Sequence, residues 1–272
     1  MGSGDEIVTI VDENNQPIGT APRRKMRAER RGDRRAGFRF HGFYNGRFSI
    51  SGGDRVARNA GRYAAHGPEA EFEPGSGRRV LKNLLGIRTK REMDQRETET
   101  LLSVTRRLIE ETPPEQRFTA DDIRRTHRLW LGEIYPWAGE YRSVNVAKGG
   151  FHFAAAEQVP RLMRELENEP LREFTPCRFR TTEEHARAMA VVHAELVLIH
   201  PFREGNGRCS RLVAVLMGLQ AGLPVLDFSS VRGQGKTRYI SAVHAALDRN
   251  YEPMTAMFRA IIARTLAEQA RT

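Results

Sequence analysis

Apolar residues recur along this chain with different periods before and after about residue 80. Beyond that point helical spacing dominates. Leu101, Leu102, Thr105, Leu108 and Ile109 follow a helical period until Pro113-Pro114 ends the run. Thr119 followed by Asp122 forms a capping-box start for a helix with Ile123, His127, Trp130 and Leu131 on one face. Thr181 and Glu184 repeat the device ahead of Ala186, Ala190, His193, Ala194, Val197 and Leu198. Further helices are expected over 207–220, 237–248 and 254–268. One extended stretch, Tyr141 to Phe153, passes through Lys148-Gly149-Gly150, and Gly-Gly between extended runs predicts a hairpin turn. The pattern predicts an all-α fold carrying one β-hairpin.

The first eighty residues behave differently. Ile7 to Val11 reads as a strand, followed by a turn at Asp12-Glu13-Asn14-Asn15 and then Pro17. Between Gly32 and Gly77, isolated aromatics lie among arginine and glycine without a helix-length pattern, which predicts weak order. The chain therefore divides into a basic, Gly-rich segment, 1–79, and a helical domain, 80–272.

Composition narrows the class. A chain of 272 residues, 39% hydrophobic and 29% charged, can bury about 70–75% of its unfolded surface. Its two cysteines, Cys177 and Cys209, exclude a disulfide framework and a cysteine-rich zinc site and point to a reducing compartment. No apolar run approaches the ~18 residues of a spanning helix. The N-terminus has no secretory pattern, and Glu6 stands where myristoylation would want Ser or Thr. A cytoplasmic protein with no membrane association is expected. The formal charge of +10 is concentrated: Arg23 to Arg39 holds nine basic and two acidic residues. Such tracts are more often solvated tails than nucleic-acid contacts, so nucleic-acid binding is the minority reading.

The chemistry gathers in His200-Pro201-Phe202-Arg203-Glu204-Gly205-Asn206-Gly207-Arg208-Cys209-Ser210-Arg211. Pro201 should stop the preceding helix and leave the His200 imidazole at its end, as a general base with an unperturbed pKa near ~6.5. Gly205 and Gly207 let successive N–H groups point into one concavity at the start of a helix, an anion nest suited to phosphate. Arg208 and Arg211 lie on roughly one face and can reach a polyphosphate. Glu204 offers a hard oxygen to Mg²⁺, though a carboxylate there also suits a helix N-terminus. Any one of these features alone is ordinary turn or cap chemistry. Together, at one helix–loop–helix junction, they point to phosphate chemistry.

This run closely resembles the Fic family signature, His-x-Phe-x-(Asp/Glu)-Gly-Asn-Gly-Arg-x-x-Arg, with every specified position present. Ile134 to Arg142 resembles the segment leading into that family's flap, and Val144 to Phe153 the flap hairpin, so the likeness covers roughly 81–266. The resemblance implies an ATP- and Mg²⁺-dependent protein adenylyltransferase. It would move AMP to a Tyr, Thr or Ser hydroxyl of a target protein and release pyrophosphate. His200 would then deprotonate the hydroxyl, Glu204 hold Mg²⁺ at the α- and β-phosphates, and Asn206 position the α-phosphate. Gly205, Gly207 and Arg208 would hold the β- and γ-phosphates, with Arg211 reaching the γ-phosphate. Tyr239 falls where members often line the nucleotide, although a core tyrosine is an equal reading. Val144, Asn145, Val146, Ala147, Lys148, Gly149, Gly150 and Phe151 would form the target-docking flap. Phe202 is expected to pack in the core.

Kinases of the family's Doc type carry Lys at the position of Gly207, so glycine there favours AMP transfer over phosphorylation. Phosphocholine transfer is a further alternative, and a catalytically silent nucleic-acid binder using the basic tract is another. Three further patterns are set aside. Gly233 to Thr237 suggests a P-loop but has Ser230 where the first glycine belongs. The opening strand resembles that of a Nudix hydrolase, but no Nudix box follows. Members of the Fic family are often restrained by a (Ser/Thr)-x-x-x-Glu-(Gly/Asn) helix. The formal match, Thr9 to Glu13-Asn14, lies in a β-branched run, and Thr265 is followed by Gln269 where glutamate would be needed. Restraint, where it exists, would come from a separate antitoxin-like protein.

Overall fold

The computed structural model describes the backbone of 7–11, 17–22 and 64–65, and in full residue 69 and residues 71–148, 151–231 and 235–271. The basic tract 23–39, most of the Gly32–Gly77 stretch, the hairpin tip Gly149-Gly150, Glu13-Asn14 and Gly233-Gln234 lie outside the described residues.

Strand β1, Ile7–Val11, stands where the β-branched run predicts it and pairs antiparallel with β2, Pro17–Pro22. A two-residue strand β3, Ala64–Ala65, lies apart from them. Residues 71–82 then form a loop closed by a Phe72–Leu81 bridge, with Ser76 and Val80 buried. This loop corrects part of the expectation of weak order up to Gly77. It has no periodicity of its own and is held by docking on the helices.

Helix α1, Lys90–Glu111, starts at the Thr89 cap, well before the expected apolar cluster. It buries Met93, Glu97, Val104 and Leu108, while Leu102 is 56% exposed, so the inward face is turned from the one the leucines suggest. Helix α2, Ala120–Leu131, has the expected Thr119–Asp122 capping box and buries Ile123, His127, Trp130 and Leu131. The hairpin follows as β4, Val146–Lys148, and β5, Phe151–His152, with β3 on the other edge of β4.

Helix α3, Val159–Leu166, continues through a π-helical turn, Glu167–Leu171, into Arg172–Phe174. The sequence reading has no element here. Pro160 and Pro170 break the pattern, yet Pro160 occupies the first turn, where its missing N–H costs nothing. Helix α4, Thr182–Ile199, opens on the Thr181–Glu184 capping box and is buried on nearly all sides. Its alanines let neighbouring helices approach closely. Around it pack α5, Asn206–Gln220; α6, Gly235–Ala246; and α7, Glu252–Gln269. The result is an all-α bundle with a hairpin at the C-terminal end of its central helix. Among the described residues, no helix is long and apolar enough to cross a membrane.

Candidate active site

The site is the α4–α5 junction. Helix α4 ends at His200, which adopts a left-handed conformation (φ 53°) and bonds its N–H to the Leu196 carbonyl. Pro201 forbids a further helical turn. The His200 ring is buried, and its Nδ1 donates to the Val197 carbonyl at 3.1 Å. A carbonyl only accepts, so Nδ1 carries the proton and Nε2 keeps the lone pair. Burial, with help from the Arg142 and Lys148 cations, pushes its pKa down to about 3, so the imidazole is neutral at physiological pH. Phe153, just beyond the hairpin, stacks on it with ring centroids 3.6 Å apart.

The loop that follows is braced from within. Asn206 Oδ1 accepts from Phe202 N at 2.8 Å, and its Nδ2 donates to Phe202 O at 2.7 Å. The Phe202 ring is fully buried and stacks on His127 at 3.8 Å, as expected of a packing residue. His127 Nδ1 accepts from Gly139 N at 2.9 Å, which puts the proton on Nε2, and Nε2 donates to the Glu204 carbonyl at 3.0 Å. Burial lowers the His127 pKa to about 4, which preserves that tautomer.

Gly205 heads helix α5 at φ +83°, and a Cβ there would stand 2.7 Å from the Trp130 ring. Both backbone and space demand glycine. A left-handed residue before a right-handed helix turns the first amides into one concavity, where an α-helix has no acceptors of its own. Gly207 differs. A Cβ added there would meet only Arg211 Nη1, at 3.7 Å. The hollow over the first turn is therefore not filled by protein packing.

Arg208 is tethered by Glu97, a buried carboxylate on α1, at 2.6 Å and lies over the Trp130 ring at 4.6 Å. Glu97 also accepts the Tyr135 hydroxyl at 2.9 Å, and its carbonyl takes Trp130 Nε1 at 2.8 Å. Glu204 Oε1 accepts from Gly205 N at 3.0 Å and lies 3.6 Å from Arg208. Glu204, Arg208, Glu97, Tyr135 and Phe72 line a small cleft with a cavity volume of roughly 70 Å³. Arg211 lies beside a second pair, the buried His193 and the half-buried Tyr239, whose Nε2 and hydroxyl are 2.9 Å apart. Burial and the Arg211 charge push His193 down to about 3, while burial raises Tyr239 to about 12.

The structure thus brings His200, Glu204, Gly205, Asn206, Gly207, Arg208 and Arg211 into one loop and helix turn, with Tyr239 adjoining Arg211. Of the expected flap, Val144 and Val146 are buried, Phe151 stacks on His244 at 4.6 Å, and Asn145 accepts from Ala156 N at 2.7 Å. Ala147 and Lys148 pair with His152 and Phe151 across the hairpin. Glu97, His127, Arg142 and His193 support the site without standing out as site residues in the sequence. Glu97, His127 and His193 act through partners far away in the chain, and their available signal was an ionisable residue on a buried helix face. Arg142 lies in the loop before β4 and carries no such signal.

A neutral imidazole thus lies beside a helix N-terminus headed by a left-handed glycine, both at one helix–loop–helix junction of a helical bundle. Residues 117–217 match the family model described as "Fic/DOC family". This chain carries a Fic domain. It is 28% identical over 197 residues to the protein adenylyltransferase VbhT of Bartonella schoenbuchensis, covering 72% of this chain and 38% of that one. It is 29% identical over 186 residues to a probable protein adenylyltransferase, y4lH, of Sinorhizobium fredii, covering 68% of this chain and 93% of that one. Among solved structures, the Fic domain of a Bartonella quintana effector aligns with TM-score 0.58 at 28% identity, over 74% of this chain and 97% of that one. BepC of Bartonella tribocorum, with bound AMPPNP, aligns with TM-score 0.57 at 26% identity, over 70% and 94%.

Proposed function

We propose that this chain is a protein adenylyltransferase that moves AMP from ATP to a Tyr, Thr or Ser hydroxyl of a target protein. The observation that carries the reading is the pairing of a base held in one tautomer with a cradle that packing leaves open. His200 Nδ1 is bound by the Val197 carbonyl, so Nε2 is the atom that takes the hydroxyl proton. The relatives named as adenylyltransferases support the reaction class.

The α5 amides at Asn206 and Gly207 face the phosphates, and Arg208 and Arg211 carry the balancing positive charge. Arg208 is pre-positioned by Glu97 and Trp130, so little reorganisation is needed when the triphosphate arrives. Asn206 locks the loop through Phe202, which keeps the cradle in shape, and its amide stands next to the α-phosphate position we assign. Tyr239 and His193 border the same cradle from α6 and α4. Lysine at position 207 would occupy the hollow, so Gly207 favours transfer of AMP rather than of the γ-phosphoryl group.

Glu204 fits a magnesium site of the usual phosphate-assisted kind. It is a single carboxylate at the cleft mouth beside the cradle, with 14% of its side chain exposed. Bound there, Mg²⁺ would offset charge on the α- and β-phosphates. The flap, residues 144–151, docks the target, and residues 80–272 form the catalytic domain. The inhibitory pattern at Thr9 begins in strand β1, a poor site for an inhibitory helix, so either a separate antitoxin-like protein supplies the restraining glutamate or the enzyme is unrestrained. We place the enzyme in the cytoplasm, where a reducing environment suits the two free, buried thiols of Cys177 and Cys209.

The test is His200→Ala. Transfer of AMP should fall to background while the ATP dissociation constant stays within about twofold, because the base acts on the acceptor and the cradle holds the nucleotide. A loss of ATP affinity as large as the loss of rate would contradict this division of roles.

A further inference from the structure

Arg142 is 2% exposed, and buried guanidinium groups of this kind are rare without a carboxylate partner. Its donors go to backbone carbonyls instead. Nε donates to His200 O at 2.7 Å, Nη1 to Val144 O at 2.8 Å, and Nη2 to Ala154 O and to Ile199 O at 3.4 Å. Its own backbone N–H donates to Pro201 O at 2.9 Å. Three of these carbonyls, 199 to 201, are where α4 ends and where a helix has acceptors without intrahelical donors. The other two, 144 and 154, belong to the arms on either side of the hairpin. A cation at the negative end of a helix is favourable, and a planar fork can bind several carbonyls at fixed angles where a lysine cannot.

We propose that Arg142 is a positioning residue for the transfer step: it clips both arms of the flap to the end of α4 and so fixes the His200 imidazole relative to the flap. The proposal rests on the reading of His200 as the base and of the flap as the target dock. His200 sits in a left-handed conformation that its carbonyl contact with Arg142 helps to hold. Phe153, one residue before the clipped Ala154 carbonyl, is the ring stacked on the imidazole. A shift of either arm therefore moves the imidazole's neighbour as well as the edge that would receive a target.

Charge gives a signature that packing alone does not. Among the described residues, the cations that bear on His200 include Arg142 and Lys148, and both lower its pKa. Around Arg142 itself stand Glu69, which favours its charge, and Arg203, which opposes it. Neutralising position 142 should therefore raise the His200 pKa, whereas keeping a cation there should not.

The experiment uses the full chain with Arg142→Lys and Arg142→Gln. Nitrogen-15 NMR follows the His200 ring against pH, incorporation from α-labelled ATP gives the transfer rate, and calorimetry gives ATP affinity. Transfer should fall at least about tenfold in both variants, since misplacement of about 1 Å can cost up to ~100-fold. ATP affinity should stay within about twofold. The His200 titration should move upward in the glutamine variant and stay low in the lysine variant. Wild-type rates in either folded variant, parallel loss of ATP affinity, or equal His200 titration in both variants would overturn the proposal. If wild-type protein moves no α-label, the transferase reading fails, while the NMR arm still judges the clip. Should both variants fail to fold, wild-type Arg142 Nε–H must exchange slowly with solvent, and exchange at the rate of an exposed arginine would refute the clip.

Discussion

Two glycines two residues apart should fail in opposite ways. At Gly205 a methyl group would stand 2.7 Å and 3.0 Å from two Trp130 ring carbons and 3.3 Å from His127 Nε2, on a backbone at φ +83°. The left-handed conformation costs an L residue about 1–2 kcal/mol, and forcing a methyl into a packed core costs a further ~1–3 kcal/mol. Gly205→Ala should therefore lose about 2–5 kcal/mol, which corresponds to a Tm lower by roughly 4–20 °C for a chain of this size. At Gly207 the nearest atom to an added methyl is Arg211 Nη1 at 3.7 Å, an ordinary contact, and the backbone is helical. Alanine in a helix is preferred to glycine by up to about 1 kcal/mol, so Gly207→Ala should melt at or above the wild-type temperature. Its methyl would nevertheless occupy the hollow assigned to phosphate. Differential scanning fluorimetry, ATP calorimetry and transfer from α-labelled ATP on both variants give the comparison. The reasoning predicts lost stability for Gly205→Ala, and weakened ATP binding with reduced transfer at full stability for Gly207→Ala. A Gly207→Ala protein with wild-type ATP affinity and rate would remove the cradle from the account.

Glu204→Ala should cut the transfer rate strongly, with only partial rescue by raised Mg²⁺. A Mg²⁺ titration and a melting curve on the purified variant separate this from a capping role, which predicts lower Tm with an unchanged metal requirement. Stability should also depend on pH through three buried histidines. His127, His193 and His200 have folded pKa values lowered to about 4, 3 and 3, against 6.5 unfolded. Below pH 6.5 the unfolded chain binds protons that the native state refuses, so stability is full above 6.5 and falls as pH drops toward 4. The slope is up to about 1.4 kcal/mol per pH unit for each histidine, or ~4 for the three together. A Tm unchanged between pH 7 and 5 would refute the neutral, buried assignment.

Much of the helical layout was legible because local chemistry and burial agree there. The Thr119 and Thr181 capping boxes and the apolar face of α4 are local signals that tertiary packing reinforces. Helix α1 was legible as a helix but not in its start or its face. Its buried positions include Glu97, which a polarity pattern places on the surface and which Arg208, Tyr135 and Trp130 draw inward. Helix α3 and the π-helical turn after it were illegible because Pro160 and Pro170 mask them. The motif loop was the clearest part of the site, since eight chemically distinctive positions fall within twelve residues. Its supports were not. His127, Arg142 and His193 read as members of a helix face or a connecting segment until the fold brings them against Glu204, His200 and Tyr239.

The central claim is that AMP, rather than a phosphoryl group, moves to a protein hydroxyl. The most direct measurement incubates the full chain with cell lysate and Mg²⁺ in parallel reactions containing α-labelled or γ-labelled ATP, with His200→Ala as the control. The account predicts protein-bound α-label that is absent with His200→Ala, and γ-label no greater than in the His200→Ala reaction, because Gly207 leaves the cradle open for a triphosphate whose β- and γ-phosphates depart as pyrophosphate. Protein-bound γ-label above the His200→Ala level, or α-label that persists in His200→Ala, would contradict it.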